Sequence, residues 1–356
     1  MNKQIEKEIN LKFCNEGNIS NNLNELLEQS HKEELERMYF YLTKKNIHTN
    51  KKQLIKKVYK LLTNKDTIYK VIMNLVNDEY EQLIKIIDNS GIIQDDYVKV
   101  GHLELLRNSG IIYMINQDNQ IYVVIPDEII DIIKSINLEE CRNQIQKNTR
   151  LVDLIYAMIN LYGAIRFDEY IDCCLDYFHY ESPEEINILS VFNGGRMNPP
   201  TLFDVDGITY VTKEEFLDYD FHSLIESKIY HADLYEIRRK DIDLADLLKY
   251  SDFYYFEPSD ETEKLKKYLV RHGLDESSSN LLIATIIQTI RIDYTTAMIY
   301  ISDIFDDFEL VVNDDNIDEI LRLINSIWNS IPVWGTYGWT NKEILLNMYL
   351  RDEEYE

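Results

Sequence analysis

Asn50-Lys51-Lys52-Gln53-Leu54-Ile55-Lys56-Lys57-Val58-Tyr59-Lys60-Leu61-Leu62 carries two signals at once. Leu54, Ile55, Val58, Leu61 and Leu62 recur at helical spacing and form one apolar face. Lys51, Lys52, Lys56, Lys57 and Lys60 fall on the other. Upstream, Ser30-His31-Lys32-Glu33 is a capping-box pattern, followed by Leu35, Met38, Tyr39 and Leu42 at the same period. The stretch between, Lys44-Lys45-Asn46-Ile47-His48-Thr49, has no period. The pattern predicts two short helices joined by an extended linker, the second bearing a lysine stripe. That is the form of a small nucleic-acid-binding module.

Charge supports the same location. The chain carries a net charge of −26, yet residues 1–70 hold 14 Lys and Arg against 9 Asp and Glu, a net of +5. The remaining residues, 71–356, hold 23 against 54, a net of −31. Steering follows the local potential within a Debye length, so the basic segment is the expected contact for a polyanion.

At 356 residues the chain has room for several cores, and 45% hydrophobic with 28% charged residues is globular composition. Only 6 Pro and 11 Gly punctuate it, which favours helices over strand-rich folds. The longest apolar stretch, near Leu281–Ile287, is far short of the roughly twenty residues of a membrane span. The polar start, Met1-Asn-Lys-Gln-Ile-Glu-Lys-Glu, lacks the apolar core of a secretory signal. Cys14, Cys141, Cys173 and Cys174 show no paired spacing and are expected to be reduced thiols of a cytoplasmic protein.

Along the chain, helical periodicity continues through 68–76, 79–87 and 96–108. Residues 111–116 and 120–125, around Gln117-Asp118-Asn119, predict a β-hairpin. Pro126-Asp127-Glu128 opens a further helix. Helices followed by a hairpin suggest a winged-helix-like unit. The cluster Asn193-Gly194-Gly195 and Asn198-Pro199-Pro200 predicts a hinge or exposed loop, and Asp204–Val211 a turn and strand. Amphipathic segments follow near 244–249, 262–271, 278–290, 294–304 and 316–329. The expected fold is mainly α: a multi-module helical protein with a winged-helix-like β-hairpin near 111–125 and few other strands. Its expected divisions are a basic helix-extended-helix module at 1–67, a winged-helix-like domain at 68–136, a helical unit at 137–200 and an acidic helical domain at 201–356.

Two stretches resemble known families. Residues 26–62, through Glu34-Leu35 and Lys51-Lys52-Gln53-Leu54-Ile55, resemble the helix-extended-helix module of SAP domains and of the Rho termination factor N-terminal region. Lys45-Asn46-Ile47-His48 stands where that module has its linker glycine. Residues 247–344 are similar to a group of bacterial helical proteins that often carry a zinc-binding SEC-C tail. The likeness lies in Trp328-Asn329, Pro332-Val333-Trp334 and Gly338-Trp339-Thr340-Asn341-Lys342-Glu343. No Cys or His follows His272, so the tail's zinc site is expected to be absent.

Other patterns carry less chemistry. The acids Asp303, Asp306, Asp307, Glu309, Asp314, Asp315, Asp318 and Glu319 lack the glycine of an EF-hand loop and predict a solvated face. Asp204-Val205-Asp206-Gly207 predicts a plain turn, and Gly194-Gly195-Arg196 lacks the strand-to-helix context of a phosphate loop. The seven histidines are scattered without zinc-ligand spacing. Cys173-Cys174 near His179 predicts core more than nucleophile, since adjacent helical residues diverge. Trp328, Trp334 and Trp339 predict a packed corner over the last helix.

The sequence therefore predicts a non-enzymatic adaptor or regulator with no catalytic residues, metal or cofactor and no membrane partner. Lys51, Lys52, Lys56, Lys57 and Lys60 would contact a DNA or RNA backbone through residues 1–70, and residues 71–356 would engage a protein partner. The alternatives are an acidic inhibitor that imitates nucleic acid, and an enzyme whose site is assembled from distant residues.

Overall fold

A computed structural model describes residues 7, 10–96, 99–193, 199–213, 221–235, 237–292, 294–308, 310 and 317–354. The chain is mainly helical and divides into two compact units. Unit 1 comprises residues 1–152 and 186–199, and unit 2 comprises 153–185 and 200–356.

Unit 1 begins with helices α1 (Leu23–Gln29), α2 (Lys32–Thr43), α3 (Lys51–Leu62), α4 (Lys65–Ile72) and α5 (Asn77–Asp88). Asn22, Asn50 and Asn64 cap α1, α3 and α4, each side chain accepting from the backbone N–H three residues on. The capping box of α2 sits one residue later than the sequence suggests. Glu34 Oε2 accepts from His31 N at 3.3 Å, while the Ser30 hydroxyl is occupied donating to Leu26 O at 3.0 Å. Residues 45–50 form no regular element, so the helix-linker-helix arrangement is present.

The sheet of unit 1 has strand order β1 (Asn15–Glu16), β3 (Tyr113–Gln117), β4 (Gln120–Val124), β2 (Ile92–Gln94). β3 and β4 form the expected hairpin, closed by Asp118 and Asn119 at φ 54° and 60°. Two successive positive φ values match the twist of the flanking strands. The segment 96–108, expected as one helix, is instead a 3₁₀ turn at Val100–Leu103 and a short helix α6 (Glu104–Asn108). The cause is tertiary. Glu79, fully buried, accepts from Val76 N at 3.4 Å and Leu105 N at 3.0 Å, and so caps α5 and anchors the start of α6 with one carboxylate.

Helices α7 (Asp127–Lys134) and α8 (Leu138–Tyr162) follow, the division between units falling within α8. Segments 1–67 and 68–136 share one apolar cluster, from Leu23, Leu35, Leu54 and Val58 through Ile68, Leu83, Tyr113 and Ile129 to Ile145. Within this unit Asn148 of α8 is fully buried, and its amide donates to Met73 O at 2.8 Å and Leu75 O at 3.0 Å. It thereby satisfies carbonyls just past the end of α4.

Unit 2 contains α9 (Phe167–Phe178), α11 (Phe221–Tyr235), α12 (Leu244–Leu247), α13 (Asp260–Arg271), α14 (Glu276–Ile292), α15 (Tyr294–Asp307), α16 (Ile317–Trp328) and α17 (Asn341–Glu354). Helix α10 (Ile188–Asn193) belongs to unit 1. Leu265, Leu269, Leu282, Ile286, Ile290, Phe305, Ile320, Ile324 and Ile327 bind α13–α16 into one core. A second sheet, β5 (Ile165–Arg166), β7 (Ile208–Lys213), β6 (Pro200–Val205), exceeds the single short strand expected. Pro200 opens β6 at the sheet edge, where a missing N–H costs no ladder bond. Asp206 and Gly207, at φ 52° and 79°, form the turn of this hairpin. The Gly194-Gly195-Arg196 stretch and residues Glu309, Asp314 and Asp315 lie outside the described residues.

Replacing Asn148 with Leu leaves the shape nearly intact but removes both amide donors. We expect a loss of about 2 kcal/mol or more in urea unfolding, because buried carbonyls left unpaired cost about 1–3 kcal/mol each. A change below about 0.5 kcal/mol, ordinary for a surface site, would contradict this role.

Candidate functional site

The lysine stripe lies on α3, whose apolar residues Leu54, Val58 and Leu62 are fully buried. Lys52, Lys56, Lys57 and Lys60 are exposed, and among the described residues none of them forms an ion pair or hydrogen bond. Lys51 differs: it is half-buried, and its Nζ donates to Glu28 O at 2.8 Å near the end of α1. It serves as a cation at a helix C-terminus, a favourable use of its charge. The stripe therefore presents four cations, not five.

The first turn of α3 holds Lys51 and Lys52 and no acid. Acids are the stabilising choice there, so α3 is charged against its own dipole. With Lys51 engaged by Glu28 O and Asn50 capping Gln53 N, Lys52 is, among the described residues, the uncommitted cation at this helix start, a position that favours an anion. The two units also differ in charge. Unit 1 holds 22 Lys and Arg against 22 Asp and Glu, whereas unit 2 holds 15 against 41 and so carries the whole net charge of −26.

Unit 2 has an open cleft of about 400 Å³, lined by residues including Glu169, Asp172, Arg238, Arg239, Asp241 and Tyr337. Its charges are mixed. Cys173, beside Arg239, and Cys174 are both buried. Burial pushes both thiols up, Cys174 to about 12, and Arg239 opposes the shift at Cys173 without reversing it. Protonated thiols are poor nucleophiles. His179 ends α9 in the left-handed conformation, exposed. Asp303, Asp306, Asp307, Asp318 and Glu319 are exposed on α15 and α16. Among the described residues no three His, Cys, Asp or Glu side chains converge as a metal site would require.

The tryptophan corner is a structural joint. Trp334 is buried, and its Nε1 donates to Asn160 O at 3.1 Å. Trp339 Nε1 donates to Arg238 O at 2.8 Å. Thr340 and Glu343 form a capping box for α17, with Thr340 N to Glu343 Oε2 at 2.9 Å and Glu343 N to Thr340 Oγ1 at 3.1 Å. Lys240 holds the other Glu343 oxygen at 2.6 Å.

The group least visible in the sequence is Lys228. It is 1% exposed, donates to Tyr162 O and Ala164 O at 2.5 Å each, and lies 5.0 Å from the Tyr337 ring centroid. Burial drives its ammonium down to about 7. Helix α11 meanwhile exposes Ile229, Tyr230 and Leu234, which inverts ordinary amphipathic order and hides the buried cation from a periodicity reading.

Comparison of the chain with protein-family models, curated proteins and solved structures finds no match. Among the described residues no helix is long and apolar enough to cross a membrane.

The Lys228 shift has a testable sign. Its pKa is about 7 in the fold against 10.5 ordinarily, so between those values the unfolded chain binds more protons. Relative to Lys228→Met, the native protein should gain stability as pH rises through that window, by at most about 1.4 kcal/mol per pH unit. Below pH 7 the difference should level off. Urea unfolding of both proteins across pH measures it, and a difference independent of pH would refute the assignment.

Proposed function

We propose that this protein is a non-enzymatic adaptor or regulator of the cytoplasm that holds a nucleic-acid backbone weakly through residues 1–70 and a protein partner through acidic unit 2. The observation that carries this reading is the row Lys52, Lys56, Lys57 and Lys60, exposed and without carboxylate partners among the described residues of a chain at −26. Lysines act on phosphate as point charges and carry no base code, so the contact is sequence-tolerant. The likeness to SAP and Rho N-terminal modules supports the same use of α3. The hairpin β3–β4 with the helices before it serves as a winged-helix-like scaffold for that face.

A second reading is favoured by the concentration of charge in unit 2, with 41 acids against 15 bases. An acidic surface of that density suits occupation of another protein's nucleic-acid channel. The two readings separate on nucleic acid itself: the first requires binding, the second requires none.

Fluorescence anisotropy of the full chain with a short labelled oligonucleotide tests the first. Affinity should fall with salt at a log-log slope of about −3, as expected for three to four neutralised phosphates. Lys52→Gln, Lys56→Gln and Lys60→Gln together should remove most of it without loss of helix, since Gln is a comparable helix former. Absence of binding at about 50 mM salt, where such contacts are strong, would leave the mimic reading in place.

A further inference from the structure

Unit 1 contains a second cationic feature outside the stripe. Thr67, Lys70, Val71 and Asn74 are spaced to share one face of α4 and the turn after it. With the end of α2 they line a half-open cavity of about 200 Å³, bounded by Tyr41, Leu42, Lys44, Thr67, Lys70 and Asn74. No acid lines it. Lys44 closes α2 in the left-handed conformation at φ 56°, and its Nζ stands 4.6 Å from the Tyr41 ring centroid.

The ordinary use of a lysine at a helix C-terminus is to lie over the last carbonyls. Neither side chain does so: among the described residues Lys44 and Lys70 donate no side-chain hydrogen bond and form no ion pair. Lys44 is also partly desolvated, which lowers its pKa. The walls, by contrast, are fixed. Asn74 Nδ2 donates to Lys70 O at 2.8 Å, and Asn74 Oδ1 accepts from Asn187 Nδ2 at 3.0 Å. Thr67 N and Oγ1 both donate to Asn64 Oδ1, at 3.0 and 3.3 Å. Glu79, whose charge raises the Tyr41 pKa, accepts from Val76 N and Leu105 N and does not line the cavity.

Lys44 and Lys70, both exposed, therefore line one small cavity that has no acid in its lining. The geometry points to a phosphate-binding pocket, in which Lys44 and Lys70 neutralise a single phosphate group. The cavity is smaller than the roughly 300–1,000 Å³ of pockets that enclose a whole small molecule, so it takes the phosphate and leaves the rest of any larger ligand outside. The inference stands on its own residues and does not need the stripe on α3. The phosphate has two sources, free inorganic phosphate or the terminal phosphate of a nucleic acid.

Calorimetry of the full chain with sodium phosphate against sodium chloride at matched ionic strength tests it. The native chain should bind phosphate. Lys44→Gln with Lys70→Gln should weaken binding about tenfold or more, the weight of one charge-assisted hydrogen bond. Thr67→Leu, which fills the cavity and leaves both charges, should weaken it also, while Lys52→Gln, Lys56→Gln and Lys60→Gln should not. Circular dichroism melts confirm that each variant folds. A short oligothymidylate with and without a 5′-phosphate separates the sources: a gain from the 5′-phosphate that needs Lys44 and Lys70 assigns the pocket to nucleic-acid ends, and no gain with phosphate binding retained assigns it to the free ion. No heat from phosphate in the native chain, or equal binding by the Lys44→Gln/Lys70→Gln protein, overturns the proposal. Loss of oligonucleotide binding in the α3 variant alone would then still stand as a separate result.

Discussion

The C-terminus of α8 is the constraint on which unit 2 depends. A helix leaves its last carbonyls without partners, and here those groups are buried. Trp334 Nε1 satisfies Asn160 O, Lys228 Nζ satisfies Tyr162 O and Ala164 O, and the Thr212 hydroxyl satisfies Gly163 O at 3.0 Å. Side chains return the contact: Asn160 Nδ2 donates to Tyr250 O at 2.7 Å and Tyr162 Oη to Lys240 O at 2.8 Å. Tyr162 O also accepts from Ala164 N at 3.1 Å. Left unpaired, the other three buried carbonyls would cost about 3–9 kcal/mol, a large share of a domain's whole stability. One helix end thus ties together segments around 212, 228, 240, 250 and 334. Gly163 makes the turn possible at φ 78°, and a Cβ there would lie 2.4 Å from Trp334 Cδ2.

What could be read from sequence follows from how local each cause is. The helices at 51–62, 260–271 and 317–328 carry their own period, and Asn50 and Ser259 mark two of their starts. The hairpin at 113–124 was legible because its turn residues tolerate positive φ. Strands β2 and β5 were not: three and two residues are too short to show alternation, and each exists through a distant partner, Val124 and Val211 respectively. The break in 96–108 was hidden for the same reason, since the capping carboxylate of Glu79 comes from another helix.

The candidate site divides along the same line. The stripe on α3 could be found by counting charge and period, both of which are properties of a short window. The diversion of Lys51 to Glu28 O depends on where α1 ends beside it, and the sequence holds no mark of that. Lys44 and Lys70 lie 26 positions apart and line one cavity only in the folded chain. In the Trp334 region the residues of the quoted resemblance, Thr340 and Glu343, have a local mechanical account as a helix cap, so that pattern reports on folding.

The placement of cations sharpens the charge division beyond what the residue counts suggest. Unit 2 has few bases, and it spends several of them inside: Lys213, Lys228 and Arg291 are 4%, 1% and 1% exposed. Lys213 lies 4.5 Å from the Phe253 ring centroid and 5.4 Å from that of Tyr156, and Arg291 lies 5.0 Å from that of Tyr250. Backbone carbonyls accept from Lys228, and aromatic faces lie against Lys213 and Arg291, which suits cations held where water is excluded. None of the three can reach a phosphate outside the fold. Lys52, Lys56, Lys57 and Lys60 do the opposite, standing exposed on a unit whose acids and bases balance. The difference in charge between the two surfaces therefore arises from which lysines the fold consumes as much as from how many the sequence contains.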